Sequence, residues 1–430
     1  MQTRIDQRPS WAPRLLCLAL AAACALASAP AQAGPHLLVE ADSGRVIAQS
    51  NAGQPWYPAS VTKLMTVYLA FKAMREHKIE PDTLLKVSAN ALAQPPSKMG
   101  FKVGTELTLD NAIKMLMVRS ANDIAVLVAE GVAGSVESFV HEMNLTAGRL
   151  GMSGTRYVNP HGLPDENQVT TARDMAILAR AIIRDFPEYE LYFRIPAIQL
   201  GKRIIRNHNR LIDRYPGADG MKTGFICASG FNVVAGATRS GRRLIAVVFG
   251  SYSAGQRAED AARLFERGFN RDIGLGRLSD PEATTVDSIR NIAGDPLDMR
   301  DEMCNRKRKR PVAESDIDED EEEEAPPAAN AKSAAKAKQA KHSLLADLPP
   351  SMPPIRVFTG APSKMPEEAI ATAPVKAKPE KSAAPKKSKA PVRASAASGA
   401  SASPAPAKPA ANPAAKKPAE APGTAAKPKS

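Results

Sequence analysis

Hydrophobic positions change period several times along the chain, and each change marks an element. Residues 36–41 and 45–50 are strand-like, and Asp42-Ser43-Gly44 between them is a turn sequence, so this stretch predicts a hairpin. Over residues 60–76 the spacing becomes helical, with Leu64, Val67, Tyr68, Phe71 and Met74 on one face. Residues 83–87 and 105–109 are short strand candidates around a polar, proline-bearing segment, 94–104. Asp110 is placed to cap a helix through Met117. Further helices are expected over 122–130, 136–150 and 171–185, the last opened by a capping-box-like Thr171 and Asp174. Two apolar, β-rich runs, 231–238 and 244–250, predict a second hairpin, and 258–269 an amphipathic helix. The order is strands, a long helical section, strands and a closing helix. It predicts an α/β chain of the α+β kind: an antiparallel sheet flanked by helices, with a helical lobe inserted between its strands.

The two ends of the chain read differently. Arg4, Arg8 and Arg14 precede an apolar run, 15–26, too short to span a bilayer, and Ala31-Gln32-Ala33 is a small-x-small cleavage site. Residues 1–33 are therefore expected to be a signal peptide, and the protein exported to a periplasm, soluble or peripheral on membrane or wall. After about residue 271 the regular signals fade. Residues 276–310 are expected to be a weakly structured extension, and 311–430 a disordered tail, acidic over 316–324 and then rich in Lys, Ala and Pro. One apolar island, 344–358, interrupts that tail.

Charge sharpens this division. Of the net +13, the last 106 residues supply 18 Lys/Arg against 5 Asp/Glu, which leaves residues 1–324 balanced at 40 of each. A neutral folded part argues against nucleic acid as a partner. The basic tail fits a weak, salt-sensitive tether to anionic wall or membrane-surface polymers, or a solvated appendage. Of four cysteines, Cys17 and Cys24 would leave with the signal peptide. Cys227 and Cys304 remain in an oxidising compartment, where they are expected to pair and close a loop of about eighty residues. The other reading of Cys227 is a small buried hydrophobe.

The chemistry is concentrated in three short motifs. Ser60 and Lys63 are three apart on one side of a first helical turn, which sets a hydroxyl beside an amine. A serine needs such a base to become a nucleophile. The same spacing recurs at Ser333 and Lys336 in the tail, so it means little alone. Here Ser120-Ala121-Asn122 and Lys222-Thr223-Gly224 follow in order. In an acyl transfer Ser60 would attack, Lys63 take its proton, Ser120 relay a proton to the leaving amine and Asn122 bond the substrate amide. Lys222 would supply positive charge, Thr223 a hydroxyl for a carboxylate, and Gly224 room for substrate backbone along a strand edge. The N–H groups of Ser60 and Phe225 would form the oxyanion hole. His161 lies in a loop beside Asn159 and, with no metal-ligand spacing around it, reads as a loop-fixing hydrogen bonder. No metal or cofactor is expected.

Over about residues 37–269 the chain resembles the low-molecular-mass penicillin-binding proteins, the serine D-alanyl-D-alanine carboxypeptidases of the peptidase S11 family. The resemblance rests on Pro58-Ala59-Ser60-Val61-Thr62-Lys63-Leu64-Met65-Thr66, Ser120-Ala121-Asn122-Asp123, Asn159-Pro160-His161-Gly162-Leu163, Thr171-Ala172-Arg173-Asp174-Met175-Ala176 and Asp219-Gly220-Met221-Lys222-Thr223-Gly224. It implies the penicillin-binding protein/β-lactamase-like transpeptidase fold. It also implies removal of the terminal D-alanine from peptidoglycan stem peptides through an acyl-enzyme on Ser60, with β-lactam antibiotics as inhibitors. By the resemblance, Arg257 matches an arginine that binds the substrate's terminal carboxylate. Alone it would read as a solvated helix residue. The β-rich second domain and terminal anchor helix of many members are not evident after Arg271. A DD-endopeptidase and a non-catalytic penicillin-binding sensor or wall-binding protein remain alternatives. A β-lactamase ranks below them, because no Glu-x-x-x-Asn segment is evident between Asn122 and Lys222.

Overall fold

The computed structural model describes residues 34–270, 284–305 and 343–361. The signal-peptide reading, the acidic block and most of the tail lie outside the described residues.

The described residues contain ten strands: β1 (His36–Glu40), β2 (Val46–Ser50), β3 (Leu84–Lys86), β4 (Glu106–Thr108), β5 (Ala197–Leu200), β6 (Arg203–Arg206), β7 (Ala218–Ile226), β8 (Gly230–Arg239), β9 (Arg242–Ser251) and β10 (Ile355–Val357). The main sheet has the order β2-β1-β9-β8-β7 and is antiparallel throughout. Its first strand is also a central one: β1 lies between β2 and β9, with His36 opposite Val248. Successive side chains of a strand point to opposite faces, and both faces here are covered. On one, Leu38, Val233, Ala235, Ala246 and Val248 pack with Ala258, Ala261, Ala262 and Phe265 of the helix α6 (Ala254–Asn270). On the other, Leu37, Val39, Val234, Ile245, Val247 and Phe249 join the larger core made by the helical section.

That section comprises α1 (Lys63–Arg75), α2 (Leu109–Val118), α3 (Asn122–Ala133), α4 (Val136–Leu150) and α5 (Ala172–Asp185). Helix α1 runs through its middle. Phe71 of α1 is fully buried, with ring centroids of Tyr189, Tyr192, Phe186 and Phe193 at 4.6, 5.6, 5.8 and 6.0 Å. Truncating so well packed a ring costs about 3–5 kcal/mol. This packing fixes the helix whose first residue is Lys63.

Several boundaries differ from expectation for local physical reasons. Residues Ala59–Thr62 form a 3-10 turn and the α-helix starts only at Lys63, because Ala59 is left-handed at φ 49° and tightens the entry. Thr108, not Asp110, caps α2: its Oγ1 accepts from Asn111 N–H at 3.2 Å, while Asp110 pairs with Lys114 at 2.6 Å. Helix α6 begins at Ala254, a turn earlier than read, which brings Arg257 into its first turn. The short helix Ala89–Ala93 and the strands β5 and β6 were not expected.

The segments after α6 carry more structure than their composition implies. Residues 284–305 contain a 3-10 turn, Val286–Ser288, and a helix, Arg300–Cys304. The structure joins Cys227 to Cys304 by a disulfide across 77 residues of chain. Beside it Met299 N–H donates to Ala228 O at 3.0 Å, and Met299 and Met303 are buried. Cys227 is thus no simple buried hydrophobe. Residues 343–361, read as part of a disordered tail, lie on the body instead, with β10 parallel to β5. The apolar island 344–358 is the reason: Val357 is buried, and Leu345 packs against the core under α6.

Candidate active site

The site forms where the 3-10 turn before α1, the α2–α3 junction, the loop 157–164 and strand β7 meet. Lys63 is fully buried at the start of α1. Its Nζ donates to Ser60 Oγ at 2.8 Å, to Asn122 Oδ1 at 2.8 Å and to the carbonyl of His161 at 2.7 Å. Residues 59 and 98 positions apart from it are thereby drawn around one amine. The 3-10 turn produces the Ser60–Lys63 contact, since it eclipses residues three apart.

Ser120 lies between the end of α2 and the start of α3, in a left-handed conformation at φ 62°. A non-glycine residue there carries strain of about 1–3 kcal/mol. Its Oγ is buried and makes no hydrogen bond, so its donor and its acceptor are both unused. The first turn of α3 is clasped by the loop before it. Asn122 Nδ2 donates to Pro95 O at 2.9 Å, and Asn122 N–H to Ser97 O at 2.7 Å. Asp123 accepts from the N–H groups of Met99 and Gly100, at 3.1 and 2.8 Å.

The loop 157–164 is tied to α1 by its carbonyls. Thr66 Oγ1 donates to Pro160 O at 2.6 Å. Gln168, buried, bonds Thr62 Oγ1 at 3.1 Å and accepts from Val158 and Asn159 N–H at 2.7 and 3.0 Å. Gly162 is left-handed at φ 87°, and a Cβ there would meet Ala59 O at 1.9 Å. Only glycine lets this loop touch the turn that carries Ser60. His161 acts within the loop, as read: its Nδ1 accepts from Leu163 N–H at 3.1 Å.

Burial, and then the Lys63 charge, lower the His161 pKa to about 3, so the ring is neutral and is no proton carrier at neutral pH. The sign follows. Between about pH 3 and the ordinary histidine value the unfolded chain binds this proton and the folded chain does not, so stability falls as pH falls through that window. His161→Gln is expected to flatten the acid limb of a urea-midpoint profile between pH 3 and 6.5 by up to a few kcal/mol. An unchanged slope would contradict the burial argument.

Strand β7 carries Lys222, Thr223, Gly224 and Phe225 along the sheet's edge. Lys222 is buried and donates to Thr223 O at 3.0 Å. Thr223 is opposite Val233, whose side chain belongs to the α6 layer. Gly224 is opposite Asn232, whose side chain reaches the helical side. A Cβ on Gly224 would lie 2.7 Å from Ser60 N, so the glycine serves close approach of the two backbones as well as any room for substrate. Asn232 locks the same junction: Nδ2 donates to Tyr57 O at 3.0 Å and Pro58 O at 3.2 Å, and Oδ1 accepts from Gly250 N–H at 3.1 Å. Sequence reasoning missed Asn232. Its signal was a lone amide inside the apolar run 231–238. Gln168 gave no comparable signal.

Arg257 is buried, not solvated. Its guanidinium donates to His208 O at 3.2 Å and Asn232 O at 3.4 Å and lies 5.7 Å from the centre of the Phe231 ring. Phe231 in turn stacks on Phe225 at 4.3 Å. Ser60, Lys63, Asn122 and Gly224 are therefore in one cluster, with Ser120 two residues from Asn122. Arg257, on α6, lies against the Phe231 ring, which stacks on Phe225 of the strand that carries Thr223. Among the described residues no group of three His, Cys, Asp or Glu side chains could hold a metal ion.

In fold the chain is similar to solved penicillin-binding proteins. Penicillin binding protein 5 from Haemophilus influenzae matches with a TM-score of 0.54 and 34% identity, over 56% of this chain and 71% of that one. The chain belongs to the peptidase S11 family, D-alanyl-D-alanine carboxypeptidase, whose profile matches residues 23–253. Among curated relatives, the D-alanyl-D-alanine carboxypeptidase DacF of Bacillus subtilis is 34% identical over 246 residues, 56% of this chain and 63% of that protein. DacB2 of Mycobacterium tuberculosis is 31% identical over 265 residues, 58% of this chain and 89% of that protein. The chain spans between 60% and 63% of the length of DacF, of the Haemophilus influenzae DacA and of the Escherichia coli DacC.

Proposed function

We propose that the chain is a serine D-alanyl-D-alanine carboxypeptidase acting on peptidoglycan stem peptides in the bacterial cell envelope, with residues 34–275 as its catalytic domain. The observation that carries this reading is the Lys63 amine, held 2.8 Å from both Ser60 Oγ and Asn122 Oδ1. Ser60 Oγ attacks the carbonyl carbon before the terminal D-alanine, and its proton passes to Lys63 Nζ, which reacts in its neutral form and then accepts from Ser60 Oγ instead of donating to it. The N–H groups of Ser60 and Phe225 take the oxyanion. The C–N bond then breaks, Ser120 delivers its proton to the leaving amine and regains one from Lys63, and D-alanine departs. Water attacks the Ser60 ester, and the acid and the serine are regenerated. A β-lactam acylates the same oxygen by opening its ring. Lys222 adds positive charge, and Thr223 with Arg257 holds the substrate carboxylate.

Two measurements test the assignment. Incubation with a peptide ending in D-Ala-D-Ala should release free D-alanine, and a crosslinked dimer should not be cut faster. Preferential cleavage of the dimer would make the protein an endopeptidase, and release of nothing from either would make it a sensor. Arg257→Ala should lower kcat/KM on the peptide about 10- to 150-fold, the loss of a charge-assisted contact of about 1.5–3 kcal/mol. An unchanged value would remove Arg257 from the site. The basic residues beyond 361 fit a tether to anionic polymers. Salt-insensitive co-sedimentation with cell walls, equal with and without residues 362–430, would refute it.

A further inference from the structure

Residues 343–361 lie on the body, and their first contacts fall on α6 and on one loop. Ser343 Oγ bonds Glu259 in α6, and Leu344 N–H donates to the same carboxylate at 3.3 Å. Ala346 N–H donates to Arg214 O, and Leu348 N–H to Asp213 O, both at 3.0 Å. Asp347 pairs with Arg214 at 2.8 Å, and Ser351 N–H reaches Asp213 Oδ1 at 3.0 Å. The segment then adds β10 to β5, with Ile355 opposite Ile198 and Val357 opposite Leu200. It ends with Gly360 N–H on Glu106 O at 2.7 Å. An extended peptide adding to a sheet edge is a common recognition mode, with main-chain bonds for affinity and alternate side chains for specificity. Here Val357 is the buried side chain.

The loop so held spans residues 207–217. Its His208 carbonyl accepts from Arg257 at 3.2 Å, and its Leu211 and Tyr215 are buried in the core under α6. Leu345 of the segment packs against that same core. Glu259, the segment's first anchor, is two residues from Arg257 on the same helix. The loop that supplies the His208 carbonyl, at Asp213 and Arg214, and the helix that carries Arg257, at Glu259, therefore both touch the segment.

We propose that residues 343–361 are an intramolecular strap that holds the 207–217 loop and, through the His208 carbonyl, sets Arg257 for the substrate carboxylate. The second half rests on the reading of Arg257 given above. The strap residues are positioning residues and touch no reacting atom. They act on substrate capture, so their loss should appear in KM and leave kcat nearly alone.

The test uses the full chain carrying Val357→Asp, with Val357→Ile as the conservative partner. Amide hydrogen exchange over residues 209–215 should quicken at least tenfold in the aspartate variant, while exchange in β8 and β9 stays unchanged. On a peptide ending in D-Ala-D-Ala, KM should rise five- to twentyfold with kcat within twofold. Val357→Ile should behave as the parent, and a synthetic peptide of residues 343–361 added to Val357→Asp should lower KM again. Unchanged exchange would show that the segment does not hold the loop. Faster exchange with unchanged KM would show that it holds the loop without serving the site. If Arg257→Ala itself leaves KM unchanged, the carboxylate reading fails, while loop exchange still reports on the strap.

Discussion

Ser60→Ala is expected to abolish both covalent labelling by penicillin and release of D-alanine, with kcat falling by about 10⁴-fold or more. Replacing the nucleophile of a hydrolase has costs of this size, because the oxyanion hole and substrate binding alone sustain only residual turnover. Lys63→Ala should fall nearly as far, since its Nζ is the amine at 2.8 Å from Ser60 Oγ. The double variant should be no worse than either single one, because residues acting as one unit are not additive. Mass spectrometry of labelled protein should find the adduct on Ser60 in the parent. Labelling that survives in Ser60→Ala would sink the assignment. Lys63→Ala also removes a buried donor to two further acceptors, Asn122 Oδ1 and His161 O. A circular dichroism melt of each variant separates lost chemistry from lost fold.

Gly224→Ala is the second large effect. The added methyl would stand 2.7 Å from Ser60 N and 3.1 Å from both Ala59 Cβ and Val61 N. Two of these three neighbours are backbone, so no side chain can swing aside. The strand must move off the turn that carries Ser60. The proposed oxyanion donors, Ser60 N–H and Phe225 N–H, sit on the two pieces so separated. Loss of one such donor typically costs about 10²–10³ in kcat. Acylation by a chromogenic cephalosporin should slow in the same proportion, with the melting temperature lowered by only a few degrees. Turnover within threefold of the parent would show that the close approach does not matter to chemistry.

The candidate site was legible because the chemistry proposed for it is local where it must be. Ser60 and Lys63 have to share a turn, Ser120 and Asn122 a helix junction, and Lys222 to Gly224 a strand edge, so each leaves a short sequence trace. Arg257 carried no such trace. It sits at the start of a helix whose first turn reads as polar, and only the resemblance singled it out. The supports were harder still. Asn232, Gln168 and the carbonyls of Pro160 and His161 act through contacts 94 to 175 residues away in sequence, which no spacing records. Strands β5 and β6 are four residues each, too short for alternation to show. The segment 343–361 was hidden by its company, since the Lys, Ala and Pro around it set the composition of the whole window.

The placement of β1 has a kinetic consequence. It pairs with β9 across 212 positions, so the main sheet cannot close until residues near 250 are available. Such long-range pairing makes folding slow, because the entropy of closing a long loop is lost before any contact repays it. A ribosome adding residues from the N-terminus therefore delivers Ser60 and Lys63 long before β7 can supply Gly224 or β8 can supply Asn232. Throughout that interval the proposed nucleophile exists without its proposed oxyanion hole. On the function proposed above, the chain is a latent hydrolase while it is being made, and the activity can arise only when its first strand has found its ninth.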